Sequence, residues 1–178
     1  MTDRLQYIGI THESAPLAIR ESLRPDQGQR RAILERLAEV ATGRLVLSTC
    51  ERFELYAMSA RTDTATWVRL LANWFHLPAA LVSRHVQTLQ GSGAARHFLR
   101  VAAGLESRIV GEVQILGQTR DAFLLAQSAG SLDAHLNALG RAAIRAGKRV
   151  RSETTLNAEA RSIATITLDH LHRVFGGL

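Results

Sequence analysis

The chain has 178 residues, of which 46% are hydrophobic and 21% charged, a composition typical of a globular protein with a core of its own. Its formal net charge of +6 indicates an anionic partner, and RNA is the obvious candidate. No run of about 18 apolar residues occurs, which excludes a transmembrane helix. The amino-terminal residues lack the apolar segment of a signal peptide.

The first half of the chain predicts strands and helices in an order that fits a split βαβ sandwich. The predicted elements are a strand over residues 5–11, a helix over 25–41 that Gly43 ends, strands over 44–49 and 53–59, a helix from Thr64 that stops before Pro78, and a strand over 86–89. The order β-α-β-β-α-β is that of ferredoxin-like sheets, and it predicts an α+β fold.

From Gly91 onward the pattern predicts helices alone. Apolar residues at helical spacing predict helices over residues 93–104, 112–129, 131–152 and 157–175. We therefore expect three parts, which are an α/β subdomain over 1–90, a helical subdomain over 91–156, and the start of a long helix over 157–178. The second half shows no G-x-G-x-x-G pattern, so we expect no dinucleotide site of its own.

Cys50 is the only cysteine, and it follows the apolar run 45–47 within a polar stretch. A lone thiol excludes an intramolecular disulfide, argues against a thiolate-rich metal site, and favours a reducing compartment such as the cytoplasm. Two interpretations remain open: a small buried hydrophobe, or a nucleophile. The change from apolar to polar neighbours indicates a strand that leaves the core, with the thiol at its rim. Arg52 would favour the thiolate, which is the reactive form.

Five segments of the chain occur in an order that is typical of one enzyme family. They are GITHESAP (9–16), STCERFELY (48–56), HFLRVAAGLES (97–107), GEVQILGQ (111–118) and KRVRSET (148–154). Together they resemble the N-terminal catalytic domain of glutamyl-tRNA reductase, the first enzyme of the five-carbon tetrapyrrole (heme) pathway. The resemblance extends from about residue 5 to the end of the chain. It implies a domain that binds glutamyl-tRNA, completes its pocket with the helical subdomain, and ends in the start of a long connecting helix.

The resemblance also implies a defined chemistry. In this family a cysteine thiolate attacks the ester carbonyl of glutamyl-tRNA, and NADPH then reduces the enzyme thioester to glutamate-1-semialdehyde. Cys50 matches the nucleophile, and His97 matches a histidine important for activity that relays a proton or orients the ester. Arg52 suits the substrate carboxylate because its planar fork binds bidentately. The matching substrate-pocket positions are Thr49, Glu51, Arg52, Ser107, Glu112, Val113, Gln114 and Gln118.

These assignments have structural alternatives. Without the resemblance, His97 would be a core or surface histidine of an Ala/Leu-rich helix, and Glu112 and Gln114 would simply begin a helix. His170 and His172 fall on different helix faces, so we expect no metal site. Basic residues near one face of the helix over 131–152 either form a solvated face or contact tRNA phosphates, and these residues are Arg141, Arg145, Lys148 and Arg149.

Three positions depart from the family pattern. Glu51 stands where Thr-Cys-Asn-Arg has asparagine, Val113 replaces a proline, and Arg108 takes a usually apolar position. A carboxylate beside Cys50 would raise the pKa of the thiol unless Arg52 offsets it. The family also continues into an NADPH-binding domain and a helical dimerisation domain, which lie outside these residues.

From this we expect the polypeptide alone to form the thioester at most, which water would then hydrolyse. The family forms homodimers through its dimerisation domain, and candidate partners are an NADPH-domain protein and glutamate-1-semialdehyde aminotransferase. Two alternatives stay open. One is a stand-alone homologue that binds tRNA, a partner enzyme or a tetrapyrrole as a regulator. The other is a protein that passes the aminoacyl group to a different acceptor.

Overall fold

A four-stranded antiparallel sheet occupies the centre of this computed structural model, which describes residues 4–60, 63–156 and 170–175. β3 pairs with β2 on one side and with β1 on the other, so β1 and β2 run parallel with β3 between them. This is the split βαβ order, and the predicted α+β class is confirmed. The strands, in the spatial order β2-β3-β1-β4, are β1 (Arg4–Thr11), β2 (Gly43–Ser48), β3 (Arg52–Ser59) and β4 (Gln87–Gln90).

Helices connect the strands and cover both faces of the sheet in the described part of the chain. They are α1 (Leu17–Ser22), α2 (Gln27–Arg36), α3 (Thr64–Phe75), α4 (Ala79–His85), α5 (Ser92–Ala102), α6 (Gln114–Ser128) and α7 (Ala134–Glu153). No helix among the described residues is long and apolar enough to cross a lipid bilayer.

The side chains of β3 alternate between two helical layers. On one face, Phe53 meets Phe75 of α3 edge to face, with ring centroids 5.0 Å apart. On the other face, the ring centroid of Tyr56 lies 4.4 Å from that of Phe98 in α5. Glu54 shares this second face with Tyr56. Because helices pack on both sides, every residue of β3 is buried.

The helix α2 is shorter than the sequence predicts. Asp26 caps its first turn, accepting the Gln29 N–H at 2.8 Å, while the Gln29 side chain accepts the Asp26 N–H. A single 3-10 turn over Leu37–Glu39 follows it. Gly43, predicted to end this helix, is instead the first residue of β2. A Cβ at Gly43 would lie 2.5 Å from Asp133 Oδ1, so close approach of the chain requires the glycine.

The sequence pattern does not predict α1 and α4. They have six and seven residues, less than two full turns each, and this is too short for a helical apolar stripe. Pro16 and Pro78 stand at their N-caps, where a proline ends the preceding segment and allows a helix to begin.

The predicted helices of the second half are confirmed as α5, α6 and α7, although α6 begins at Gln114 rather than at Glu112. α7 packs closely on α5, because a Cβ at Gly147 would lie 2.5 Å from the Ala102 carbonyl oxygen. Buried side chains of the sheet and of these helices form one cluster. The division near residue 91 stays a prediction as a domain boundary, and residues 157–169 of the fourth predicted helix lie outside the described residues.

Candidate active site

Cys50 lies in the turn between β2 and β3, and it is exposed. The Thr49 N–H donates to the Arg52 carbonyl at 2.8 Å and closes the turn, while Thr49 Oγ1 accepts the Glu51 N–H at 3.1 Å. From α1, the Arg20 guanidinium donates to the Cys50 carbonyl. The prediction of a thiol at the rim of the sheet is confirmed, and the alternative of a buried hydrophobe is wrong.

At the start of β3, directly after the turn, Arg52 and Glu54 form a buried ion pair. Arg52 Nη1 lies 2.9 Å from Glu54 Oε1, and both side chains are at most 1% exposed. Tyr56 donates to Glu54 Oε2 at 2.7 Å, and His97 Nε2 lies 3.1 Å from Oε1. Burial alone would raise the pKa of Glu54, but the His97 hydrogen bond and the Arg52 charge together hold it below its usual value. The carboxylate is therefore ionised and holds three side chains in place.

His97 is the outermost member of this network. Its imidazole is 15% exposed, and its ring centroid lies 4.3 Å from that of Tyr7. Because ionised Glu54 can only accept, the proton in this hydrogen bond is carried by His97 Nε2, and Nδ1 is the ring nitrogen that Glu54 does not contact. The arrangement resembles that of a base oriented by a carboxylate, and the catalytic role of His97 stays a prediction.

Tyr7 lies along the face of β1 and covers Gly9. A Cβ at residue 9 would lie 2.1 Å from Tyr7 Oη, so only glycine leaves room for the phenol. Burial and the Glu54 charge raise the pKa of Tyr7, and the phenol stays protonated. The sequence reading missed Tyr7, Glu54 and Tyr56 as members of the site. Glu54 could have been found from the sequence, because it is a charged residue inside an apolar strand. It lies two residues after Arg52, so both side chains are on the same face of the strand.

Several buried polar atoms near the same end of the sheet have no hydrogen-bond partner among the described residues. They are Tyr7 Oη, His12 Nδ1, Ser48 Oγ and Arg52 Nε. Burial lowers the pKa of His12, so its imidazole is neutral near pH 7. Because buried polar groups in folded proteins are nearly always paired, such a cluster suits a polar ligand.

The loop between α5 and α6 lies against the turn that carries Cys50. Arg52 donates to the Glu106 carbonyl, and the Arg108 N–H donates to Glu51 Oε2 at 3.3 Å. The arginine that contacts Glu51 is therefore Arg108, whereas the Arg52 guanidinium binds Glu54. Burial, and then the Glu51 charge, raise the pKa of Glu112 in the same loop.

The structure brings together only part of the predicted pocket. Thr49, Glu51 and Arg52 lie with Cys50 in the turn, and Glu112 lies within electrostatic reach of Glu51. The remaining predicted residues sit on the α5–α6 loop and the start of α6, with Ser107 buried, Val113 and Gln114 exposed, and Gln118 half-buried. No hydrogen bond links these four to Cys50 in the described part of the chain, and their assignment stays a prediction.

The predicted tRNA-contact residues share the exposed face of α7, and these residues are Arg141, Arg145, Lys148 and Arg149. Arg149 is already paired with Glu153 through two hydrogen bonds of 2.8 and 2.9 Å, and Arg141 donates to Asn137. Arg145 and Lys148 have no ion pair within residues 4–60 and 63–156. In those ranges, no group of three or more His, Cys, Asp or Glu side chains could hold a metal ion.

Comparison with known proteins identifies the family. The family model described as glutamyl-tRNAGlu reductase, N-terminal domain, matches residues 8–154. The chain belongs to this family. A glutamyl-tRNA reductase from Thermus thermophilus is 40% identical over 174 residues, which cover 98% of this chain and 42% of that protein. Glutamyl-tRNA reductase from Geobacillus kaustophilus is 34% identical over 179 residues, covering 98% of this chain and 39% of that protein.

A solved structure agrees with this membership of the glutamyl-tRNA reductase family. Glutamyl-tRNA reductase from Methanopyrus kandleri matches with a TM-score of 0.75 and 35% identity, over 97% of this chain and 40% of that chain. The chain thus spans about two fifths of the length of the relatives it matches.

Proposed function

We propose that this chain is the glutamyl-tRNA-binding, thioester-forming domain of a glutamyl-tRNA reductase in tetrapyrrole biosynthesis. The observation that carries the proposal is the placement of Cys50. It is exposed in a tight turn whose next strand begins with the buried Arg52–Glu54 pair. An exposed thiol beside a preorganised charged network, with unpaired polar atoms around it, is the arrangement expected of a nucleophile.

In the proposed step, the Cys50 thiolate attacks the ester carbonyl carbon of glutamyl-tRNA. The bond from that carbon to the ribose oxygen breaks, and its electron pair leaves with the oxygen, which takes up a proton as the tRNA hydroxyl. The product is a glutamyl thioester on Sγ. Glu54 occupies Nε2 of His97, so Nδ1 is the nitrogen that would take part in this step. There His97 would hold the proton released by the Cys50 thiol or supply it to the leaving ribose oxygen.

The polar groups around Cys50 would bind the glutamyl moiety. Arg52 Nε has no hydrogen-bond partner among the described residues and would donate to a substrate oxygen, while Nη1 and Nη2 donate to Glu54 and Glu106. Tyr7 Oη and Ser48 Oγ are further unpaired hydroxyls that can donate to a carbonyl or carboxylate oxygen. The predicted pocket residues Thr49, Glu51, Ser107, Glu112, Val113, Gln114 and Gln118 belong to this proposal.

Reduction by NADPH is not assigned to this chain. All strand pairings in the described residues are antiparallel, so those residues contain no βαβ unit whose two parallel strands pair directly. In the sequence, Gly91-Ser92-Gly93 is followed by Arg96 where a dinucleotide fingerprint has its third glycine. NADPH binding is therefore not part of the function proposed for this chain. The homodimer and the aminotransferase contact that the resemblance implies stay predictions.

Hydrolysis of glutamyl-tRNA tests this proposal, because an enzyme thioester without a reductant is open to water. We expect the parent chain to release glutamate faster than buffer alone, and Cys50→Ser to fall to the buffer rate. Far-ultraviolet circular dichroism of both proteins controls for folding. Equal release by parent and variant would refute Cys50 chemistry. Binding of tRNA without any release would leave a tRNA-binding module, which is the alternative function.

A further inference from the structure

A cavity of about 330 Å³ lies on the opposite side of the sheet from His97, between α2, α3 and the loop that precedes α2. Its lining includes three basic side chains, Arg24, Arg36 and His76, and two aromatic rings, Trp74 and Phe75. No carboxylate lines it. The volume is that of a small-ligand pocket.

The basic residues of the cavity are not neutralised by the protein. Within residues 4–60 and 63–156, none of Arg24, Arg36 and His76 forms an ion pair. Arg36 and His76 stand at the C-terminal ends of α2 and α3, where a helix dipole favours a cation. That effect does not account for Arg24, which precedes α2. Two exposed arginines without counter-ions, with a histidine on the same cavity wall, suit an anionic ligand such as a phosphate.

The aromatic residues point to a planar group beside that anion. Trp67, the other tryptophan, is buried and donates its indole N–H to Gln6 at 2.8 Å. Trp74 is half-buried, and its indole N–H has no hydrogen bond to any described residue. An accessible indole face beside cations is the combination with which proteins stack a nucleobase and hold its phosphate.

His76 adds a conformational observation. Its φ of 52° places it in the left-handed region, at the C-cap of α3, where glycine is the residue with the least strain. The chain keeps an imidazole at this position, directly on the cavity wall. A functional side chain held in a strained conformation is consistent with a binding role.

The cavity is connected to the nucleophile by two contacts. Ser22, the last residue of α1, lines the cavity, and Arg20 of the same helix donates to the Cys50 carbonyl. Phe75 in the cavity wall packs on Phe53, which lies three residues from Cys50. The cavity wall is therefore linked through α1 and through Phe53 to the turn that presents the thiol.

We propose that this cavity binds a nucleotide, and that the nucleotide is the terminal one of the tRNA acceptor end, with its base on Trp74 and phosphate at Arg24, Arg36 and His76. The assignment to tRNA rests on the proposed function, whereas the nucleotide site itself does not. The same chemistry could come from a free mononucleotide, and the experiment separates the two sources.

The test is a calorimetric titration of the chain with the trinucleotide CCA, with AMP and with inorganic phosphate. We expect CCA to bind more tightly than AMP, and phosphate alone to bind weakly. Trp74→Leu and Arg36→Gln should each weaken CCA binding by about tenfold, the size of one lost base stack or phosphate contact. Arg31→Gln, which removes the same charge from the same helix outside the cavity, should change binding less than twofold. His76→Gly should weaken binding while keeping or raising the melting temperature.

Several outcomes would overturn the proposal. Absence of binding by both CCA and AMP, or equal losses in Arg36→Gln and Arg31→Gln, would exclude a nucleotide site in this cavity. Tight AMP binding without CCA binding would overturn the tRNA assignment and identify a mononucleotide site. An activated glutamyl ester that carries no nucleotide serves as a second substrate. It distinguishes failure of the nucleotide site from failure of the proposed Cys50 chemistry. Trp74→Leu should slow acylation of Cys50 by glutamyl-tRNA but not by that ester, whereas failure of both substrates with the parent chain would refute Cys50 chemistry alone.

Discussion

Glu51 and Arg108 contact each other beside the nucleophile: the Arg108 N–H donates to Glu51 Oε2 at 3.3 Å, and Arg108 Nε lies 3.7 Å from Oε1. Both residues depart from the family pattern, in which a neutral side chain precedes the arginine and an apolar one stands in the loop. The Arg108 guanidinium therefore balances the Glu51 charge beside the turn that carries Cys50.

This pairing predicts that the two substitutions are coupled in activity. Arg108→Leu alone leaves the Glu51 charge unbalanced and should slow Cys50-dependent hydrolysis of glutamyl-tRNA. The double variant Glu51→Asn, Arg108→Leu restores the family pattern and should recover the rate. The stability coupling should be at most about 1 kcal/mol, because Arg108 is largely exposed. Equal rates for Arg108→Leu and for the double variant would show that the pair is incidental.

The Glu54 network predicts a large loss of stability when its carboxylate is removed. Glu54→Ala leaves the Arg52 charge buried without a counter-ion, which should lower the free energy of unfolding by about 3–5 kcal/mol. Tyr56→Phe removes only one hydrogen bond to the same carboxylate and should cost about 1 kcal/mol. Urea denaturation measures both. A loss in Glu54→Ala no larger than that in Tyr56→Phe would contradict the central place of this carboxylate.

The lowered pKa of Glu54 predicts loss of stability in acid. Above the unfolded pKa, near 4.5, the carboxylate is ionised in both states and its full stabilisation is present. As the pH falls below 4.5 and through the lower folded pKa, the unfolded chain takes up the proton first, and the stabilisation is lost. Denaturation from pH 7 to pH 3 should show a flatter acid slope in Glu54→Gln than in the parent. Identical slopes would mean that other carboxylates control the acid transition.

The contact between Tyr7 and Gly9 predicts that one methyl group is costly at position 9. Gly9→Ala places a Cβ 2.1 Å from Tyr7 Oη in the buried part of β1, so the ring, which packs on His97, must move. We expect a loss of about 1–3 kcal/mol in unfolding free energy. Gly117→Ala in α6 is the control. Nothing lies within 4 Å of its Cβ, and helix propensity should stabilise it by about 0.5–1 kcal/mol.

The exposed face of α7 predicts a salt-dependent contribution to tRNA binding. Arg145→Gln and Lys148→Gln should each weaken binding and lower the slope of log affinity against log salt by about one. Arg149→Gln should have a smaller effect, because Arg149 is already paired with Glu153. The affinity is measured by filter binding between low and moderate salt. Unchanged slopes in Arg145→Gln and Lys148→Gln would mark a solvated face, the alternative reading of these residues.

The sequence predicts the sheet order and the long helices well, because their apolar periodicity is regular and the strands are bounded by clear breaks. The position of Cys50 is also predictable, since an apolar run that turns polar marks the end of a buried strand. Helices such as α1 and α4 escape prediction because fewer than two turns cannot show a helical period.

The centre of the site is harder to predict from the sequence. Glu54 lies in a strand whose other residues read as core, and only its register beside Gly9 and Arg52 shows what it contacts. The cover of Gly9 by Tyr7 depends on the direction of a side chain, which no spacing encodes. Arg108 meets Glu51 across a separation of 57 residues, and only the fold brings them together.

The most direct test of the central claim is intact-protein mass spectrometry after rapid mixing with glutamyl-tRNA and an acid quench. The parent chain should gain the mass of one glutamyl group, and peptide mapping should place it on Cys50. Cys50→Ser should gain no thioester adduct, and hydroxylamine should remove the adduct from the parent. A parent chain that binds glutamyl-tRNA but gains no mass at Cys50, or an equal adduct in Cys50→Ser, would contradict the account.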